Sequence, residues 1–248
     1  MSQLPDKCFA KQSKLQHLQM DFNLIGNITN ATFSGLKSLT YLSLRGNQLT
    51  GLSNELGLLE QVVTKSSTSI KVAASNGNLT FLQLRELDLG QNLIEFISED
   101  AFVTLQKLEV LYLDANQLAS VPPASTLRPL ASALQSLHLG QNAIQRLDSE
   151  VFLPLRNLQR LNLTGASIVN ISYDAFRGLS GNTGQHSGLR ILSLASNALD
   201  RFPNLGLLNR LERLYIGGNF IENIQSFDLK GLSSLQVNSR KICSFRKQ

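Results

Sequence analysis

Leu84-Arg85-Glu86-Leu87-Asp88-Leu89-Gly90-Gln91-Asn92-Leu93-Ile94, or LRELDLGQNLI, is the stretch that decides the fold. Leu87 and Leu89 flank Asp88 with a period of two, the pattern of a strand with one buried face. The string returns as LQHLQMDFNLI from Leu15, LTYLSLRGNQL from Leu39, LEVLYLDANQL from Leu108 and LQSLHLGQNAI from Leu134. It returns again as LQRLNLTGASI from Leu158, LRILSLASNAL from Leu189 and LERLYIGGNFI from Leu211. All eight copies follow LxxLxLxxNxL, with apolar substitutes at some leucine positions and Ala166 in place of one Asn. A ninth, degenerate copy begins near Leu232 or Leu235.

Strands that recur every two dozen residues in one direction build a parallel sheet, and parallel strands need a crossover. The other half of each repeat supplies it. That half often reads Phe-x-x-Leu-x-x-Leu, as in Phe33, Leu36, Leu39; Phe102, Leu105, Leu108; and Phe152, Leu155, Leu158. A spacing of three suits a short helical turn with its apolar side inward. The chain is therefore expected to be one α/β repeat domain over residues 1–248, clearest from Leu15 to Ile221. It should have a concave parallel β-sheet and short helical or extended crossovers on the convex side.

The period breaks in three places. From Leu39 to Leu84 the spacing is 45, and residues 52–80 are either an insertion or, near Leu59, a decayed repeat. From Leu158 to Leu189 it is 31, with the surplus in a surface loop at 180–188. From Leu108 to Leu134 it is 26, with Pro122, Pro123 and Pro129 in the crossover, which is expected to be extended.

The Asn column is Asn23, Asn47, Asn92, Asn116, Asn142, Asn197 and Asn219. It sits where the strand ends and the chain turns inward. Backbone groups bent out of the ladder there need partners. An amide side chain offers both donor and acceptor, so stacked copies should form a continuous ladder.

Composition excludes several functions. The net charge is +5, but Arg240, Lys241, Arg246 and Lys247 stand in the last nine residues and the body mixes signs. No nucleic-acid surface is read from that pattern. No run of 18 apolar residues exists, so no membrane span is expected, and the opening MSQLPDKCFAKQSK carries no apolar signal region. The three histidines are His17, His138 and His186. His17 and His138 fall at least four repeats apart, roughly 19 Å at the usual strand spacing, too far to share a metal or proton. No Ser–His–acid set falls on neighbouring strands. No cofactor, no metal site and no enzymatic activity are expected. Cys8 and Cys243 lie at opposite ends of the solenoid, roughly 40 Å apart, and cannot pair with each other.

On these motifs the chain resembles the leucine-rich-repeat family, over about nine-tenths of its length. The 24-residue spacing and the Phe-x-x-Leu half resemble the subclass found in extracellular proteins such as Slit, Toll-like receptor ectodomains and chaoptin. The resemblance implies a right-handed horseshoe with its sheet inside the curve. It implies a protein-binding recognition module: the ectodomain, or a piece of one, of an adhesion, guidance or innate-immune receptor. Such relatives cap their ends with disulfide-rich flanks. One Cys per end departs from that pattern, which leaves truncated caps or lone buried thiols. The alternative reading is an intracellular scaffold or regulator, favoured by sparse Cys and the lack of a signal segment. Five Asn-x-Ser/Thr sequons, at Asn27, Asn30, Asn78, Asn162 and Asn170, favour the extracellular one. Of these, Asn162 projects onto the concave face, where a glycan would confine a partner to repeats two to five.

The variable positions between the leucines point out of the sheet. Tyr and Arg dominate binding hot spots. Tyr41, Arg45, Glu86, Asp88, Tyr112, Asp114 and His138 are the candidate contacts of one patch, and Arg160, Arg213 and Tyr215 of a second, more basic one. Both are expected to face a protein ligand. The oligomeric state is left open.

Overall fold

The computed structural model describes residues 4–28, 32–53, 70–71, 83–99, 101–181 and 187–236. Thirteen short strands stand among them: β1 (His17–Gln19), β2 (Tyr41–Ser43), β3 (Gly51–Ser53), β4 (Ile70–Lys71), β5 (Glu86–Asp88), β6 (Phe96–Ile97), β7 (Val110–Tyr112), β8 (Ser136–His138), β9 (Arg146–Leu147), β10 (Arg160–Asn162), β11 (Asn170–Ile171), β12 (Ile191–Ser193) and β13 (Arg213–Tyr215). Eight form one parallel sheet in the order β1-β2-β5-β7-β8-β10-β12-β13. These are the eight predicted copies, stacked as a solenoid with this parallel sheet on the concave side. On the crossover side β9 pairs with β11, and β3 lies between β4 and β6.

Register follows the sequence period. Leu18, Leu42, Leu87, Leu111, Leu137, Leu161, Leu192 and Leu214 are partners across successive strands. Leu111, Leu137 and Leu192 are fully buried, as are Leu113, Leu139, Leu163 and Leu194 two residues on. Burying one leucine is worth about 2–3 kcal/mol, so three or four per coil carry most of the stacking energy. Behind them the phenylalanines stack face to face, Phe9 on Phe33 at 6.0 Å and Phe152 on Phe176 at 6.2 Å.

The strand after β2 in the concave sheet is β5, with Tyr41 opposite Glu86. No strand from the 45-residue interval stands between them. Most of that interval lies outside the described residues, as do Asn30, Asn78, His186, Cys243 and the basic tail. Cys8 is exposed and free, its Sγ facing the Thr32 carbonyl at 3.7 Å.

The Phe-x-x-Leu halves close by i→i+3 turns. Leu105 N–H donates to Phe102 O at 2.9 Å and Leu108 N–H to Leu105 O at 3.0 Å. The proline crossover corrects an expectation: it is not extended. Ala124–Leu127 is an α-helical turn, named α1, followed by a 3₁₀ turn at Arg128–Leu130. Pro123 precedes α1 at φ −58°, and Pro129 lies in the first turn of the 3₁₀ segment. Proline costs nothing there, because the first N–H groups of a helix have no internal partner.

The Asn ladder is explicit. Asn116 Nδ2 donates to Leu113 O at 3.0 Å in its own coil and to Leu89 O at 3.0 Å in the preceding one. Its Oδ1 accepts from Ile94 N–H at 3.0 Å. Asn47, Asn92, Asn142, Asn197 and Asn219 repeat this pattern. The residue before each Asn is left-handed: Phe22, Gly46, Gln91, Ala115, Gln141, Ser196 and Gly218 all have positive φ, as does Gly165 before Ala166. That residue turns the strand into the coil and aims the amide at its neighbour.

Each rung satisfies buried donors and acceptors, and an orphaned one costs about 1–3 kcal/mol. Asn116→Ala should therefore lower unfolding stability by roughly 3 kcal/mol. Ala166→Asn, which restores the missing rung, should raise it by about 1 kcal/mol. Urea denaturation checks both; an unchanged midpoint for Asn116→Ala removes the ladder from the stability account.

Candidate binding face

In the sheet, successive strands present the outward columns in register. Tyr41, Glu86, Val110, Ser136, Arg160, Ile191 and Arg213 form one column; Ser43, Asp88, Tyr112, His138, Asn162, Ser193 and Tyr215 form the next. The first predicted patch is thus contiguous, spanning β2 to β8.

Its charges face each other before they face solvent. Arg45 reaches past the coil of β5 and forks onto Asp114, Nη2 to Oδ2 at 2.8 Å and Nη1 to Oδ1 at 3.4 Å. Nη1 also reaches Asp88 Oδ1 at 3.3 Å. Gly90 makes the crossing possible: a Cβ there would lie 2.1 Å from Arg45 Nη1. These side chains are only 24% (Arg45), 15% (Asp88) and 18% (Asp114) exposed. Such a forked, half-buried pair is stronger than an exposed one, worth about 0–1 kcal/mol. Arg45, Asp88 and Asp114 are thus paired with one another on this face. Burial pushes the Asp88 carboxyl above its usual value, outweighing the Gly90 N–H at 2.8 Å and Arg45.

Asp21, which was not among the candidates, closes the cluster at the β1 end. Its carboxylate accepts the Ser43 hydroxyl, the Arg45 N–H at 3.0 Å and Gln19 Nε2 at 2.5 Å. Glu86 is half-buried on β5, in register with Tyr41. Asp88 and Asp114 thus share the Arg45 guanidinium, while Asp21 holds the Arg45 backbone.

The aromatic candidates are held the same way. Tyr41 stacks on His17 at 5.7 Å, and Tyr112 lies against His138 at 4.4 Å with the rings tilted by 30°. Ser136 Oγ lies 2.9 Å from His138 Nε2. Burial lowers the His138 pKa; Asp114 opposes this, and Arg160 and Arg45 add to it.

The second patch differs. Arg160 and Arg213 are exposed, and neither has an ion-pair partner among the described residues. Tyr215 is 39% exposed. Asn162 lies on the same face, half-buried, its Oδ1 accepting the Thr164 N–H at 3.0 Å. Asn27 and Asn170 are exposed away from this sheet's columns. Among the described residues no His, Cys, Asp and Glu cluster could hold a metal, and no helix is long and apolar enough to cross a membrane.

A family model described as leucine rich repeat matches residues 1–49, 71–123 and 132–181. The chain belongs to the leucine-rich-repeat family. Podocan-like protein 1 of Homo sapiens is 30% identical over 246 residues, covering 95% of this chain and 45% of that protein. Lumican of Homo sapiens is 30% identical over 237 residues, covering 94% and 64%. The chain therefore spans about half to two thirds of these relatives, which are secreted extracellular-matrix proteins and not enzymes. Among solved structures, TLR13 in its complex with ssRNA13 superposes with a TM-score of 0.74 at 24% identity, over 94% of this chain and 33% of that one. The Leptospira interrogans leucine-rich-repeat protein LIC12759 superposes at 0.63 with 27% identity, over 92% and 55%.

Because the folded leucine-rich-repeat chain disfavours protonated His138, the unfolded chain binds more protons there. Its contribution to stability is lost as pH falls below the ordinary imidazole value of about 6.5. Asp88 runs the opposite way, at lower pH: its raised pKa stabilises the fold as pH drops through that value. The melting temperature should thus fall between about pH 7.5 and 5.5, and His138→Gln should flatten the fall. An equal slope in the variant would assign the titration elsewhere.

Proposed function

We propose that this leucine-rich-repeat chain is an extracellular protein-recognition module that binds its partner on the concave sheet. The observation that carries the reading is the division of side chains on that sheet. The leucines are spent on the core, while Tyr41, Tyr112, His138, Arg160, Arg213 and Tyr215 stand on rigid neighbouring strands. Rigid presentation removes most of the ordering cost of binding. The secreted relatives and the exposed sequons at Asn27 and Asn170 support the extracellular setting. A matrix or receptor-ectodomain role fits it, and adhesion or signalling would follow from the partner.

The test places one chemical change on two faces. Val110→Arg with Ser193→Arg alters the concave columns. Val103→Arg with Val169→Arg alters exposed positions in the crossovers. Capture of partners from an extracellular-matrix extract should fall roughly tenfold for the concave pair and stay level for the crossover pair, as expected when charge is buried at a contact. Equal capture by both overturns the concave reading. Site mapping should find glycan on Asn27 and Asn170; an unmodified cytosolic chain would turn the reading to an intracellular scaffold.

A further inference from the structure

We propose that the C-terminal part of the concave face, β10, β12 and β13, takes an acidic segment of the protein partner: two carboxylates flanking an apolar side chain. This deepens the reading above and rests on it. Arg160 and Arg213 stand in one column on either side of Ile191, with direct register between the three. Two strand steps set them about 10 Å apart. Elsewhere Arg45, Arg85, Arg146, Arg177, Arg190 and Arg201 each hold a carboxylate. Arg160 and Arg213 hold none among the described residues, and the outward columns of these strands contain no acid.

A cavity of about 550 Å³ opens at the adjoining rim, lined by Gln159, Ser187, Arg190, Arg210, Glu212 and Ser234. Arg190 is neutralised there by Glu212 at 2.6 Å. Arg210 is exposed and, among the described residues, donates to a backbone carbonyl, Ser187 O at 3.4 Å. Among the described residues, Arg160 and Arg213 on the face and Arg210 at its rim thus have no carboxylate partner. Toward the other end the outward columns carry Asp21, Glu86, Asp88 and Asp114, with Asp88 and Asp114 paired to Arg45.

Guanidinium forks match carboxylates, phosphates and sulfates alike. The apolar side chains between and beside them decide. Ile191 is half-buried between the two arginines, and Tyr215 is exposed two residues beyond Arg213. A polyanion backbone leaves Ile191 without an apolar counterpart; a protein segment does not. About 10 Å is also the rise between positions i and i+7 of a helix, with i+3 and i+4 between them. A glycan on Asn162, two residues from Arg160 on the same strand, would cover this site.

The probe is a labelled helical peptide with Glu at i and i+7 and Leu at i+3 and i+4. It is titrated by fluorescence anisotropy into the full chain, with Asn162 verified by mass to be unmodified. The peptide should bind, and its Lys counterpart should bind at least roughly tenfold more weakly. Arg160→Glu with Arg213→Glu should weaken the acidic peptide roughly tenfold or more, at an unchanged melting temperature. No binding below about 1 mM, or equal binding by the double variant, overturns the proposal. So does tighter binding of a sulfated glycan or single-stranded RNA together with indifference to Leu→Ser changes in the peptide. A concentration-dependent dimer abolished by the double variant would assign the patch to a second copy and overturn it as well. If the double variant keeps the peptide while Val110→Arg with Ser193→Arg still loses the natural partner, this inference alone fails. If that concave pair keeps the natural partner, the broader reading fails first.

Discussion

A single coil of this chain has nowhere to hide its leucines. Its strand is three residues long, shorter than the five or six typical of globular sheets, and it has one apolar edge and a turn full of unsatisfied backbone. Only another coil, stacked in register, covers the edge and supplies the partners. The Asn ladder shows the dependence at atomic level. Asn116 is bonded as much to Leu89 and Ile94 of the preceding coil as to its own turn. Stability is therefore a property of neighbours, and a lesion in one rung is felt by two coils at once.

That dependence explains how much was legible beforehand. A period of two inside a period of 24 names the strands, and an identical period in every copy names the register. Positions Leu18 to Leu214 pair as the repeats dictate. What escaped was whatever arises between coils. β9 and β11 are two residues each, too short to announce themselves, and they form because stacking brings Arg146 opposite Asn170. The proline crossover reads as extended because Pro123 and Pro129 lack the N–H that a ladder needs. Their places at the start of a turn, where a missing N–H is harmless, depend on a boundary that no periodicity marks.

The binding face was legible as a set of columns and not as a set of interactions. Counting columns places Arg45, Asp88 and Asp114 together and says nothing of how they pair. Their pairing depends on the side chain between them. Gly90 was visible in its column, but a gap matters only once a long neighbour is known to lie across it. His138 is similar: its half-buried ring leans on Tyr112 and meets Ser136, and the burial that lowers its pKa is not visible in a column of letters.

The two halves of the face follow one rule with opposite outcomes. Strands about 4.8 Å apart put every second coil within reach of a long side chain. Across Arg45, Gly90 and Asp114 the ends are opposite in charge and the middle is empty, so the ends close on each other. Across Arg160, Ile191 and Arg213 the ends are alike and the middle is filled, so they cannot close, and both remain exposed. The leucine scaffold is the same in both places. The middle residue and the sign of its neighbours decide whether a charge is spent inside the molecule or left for another one.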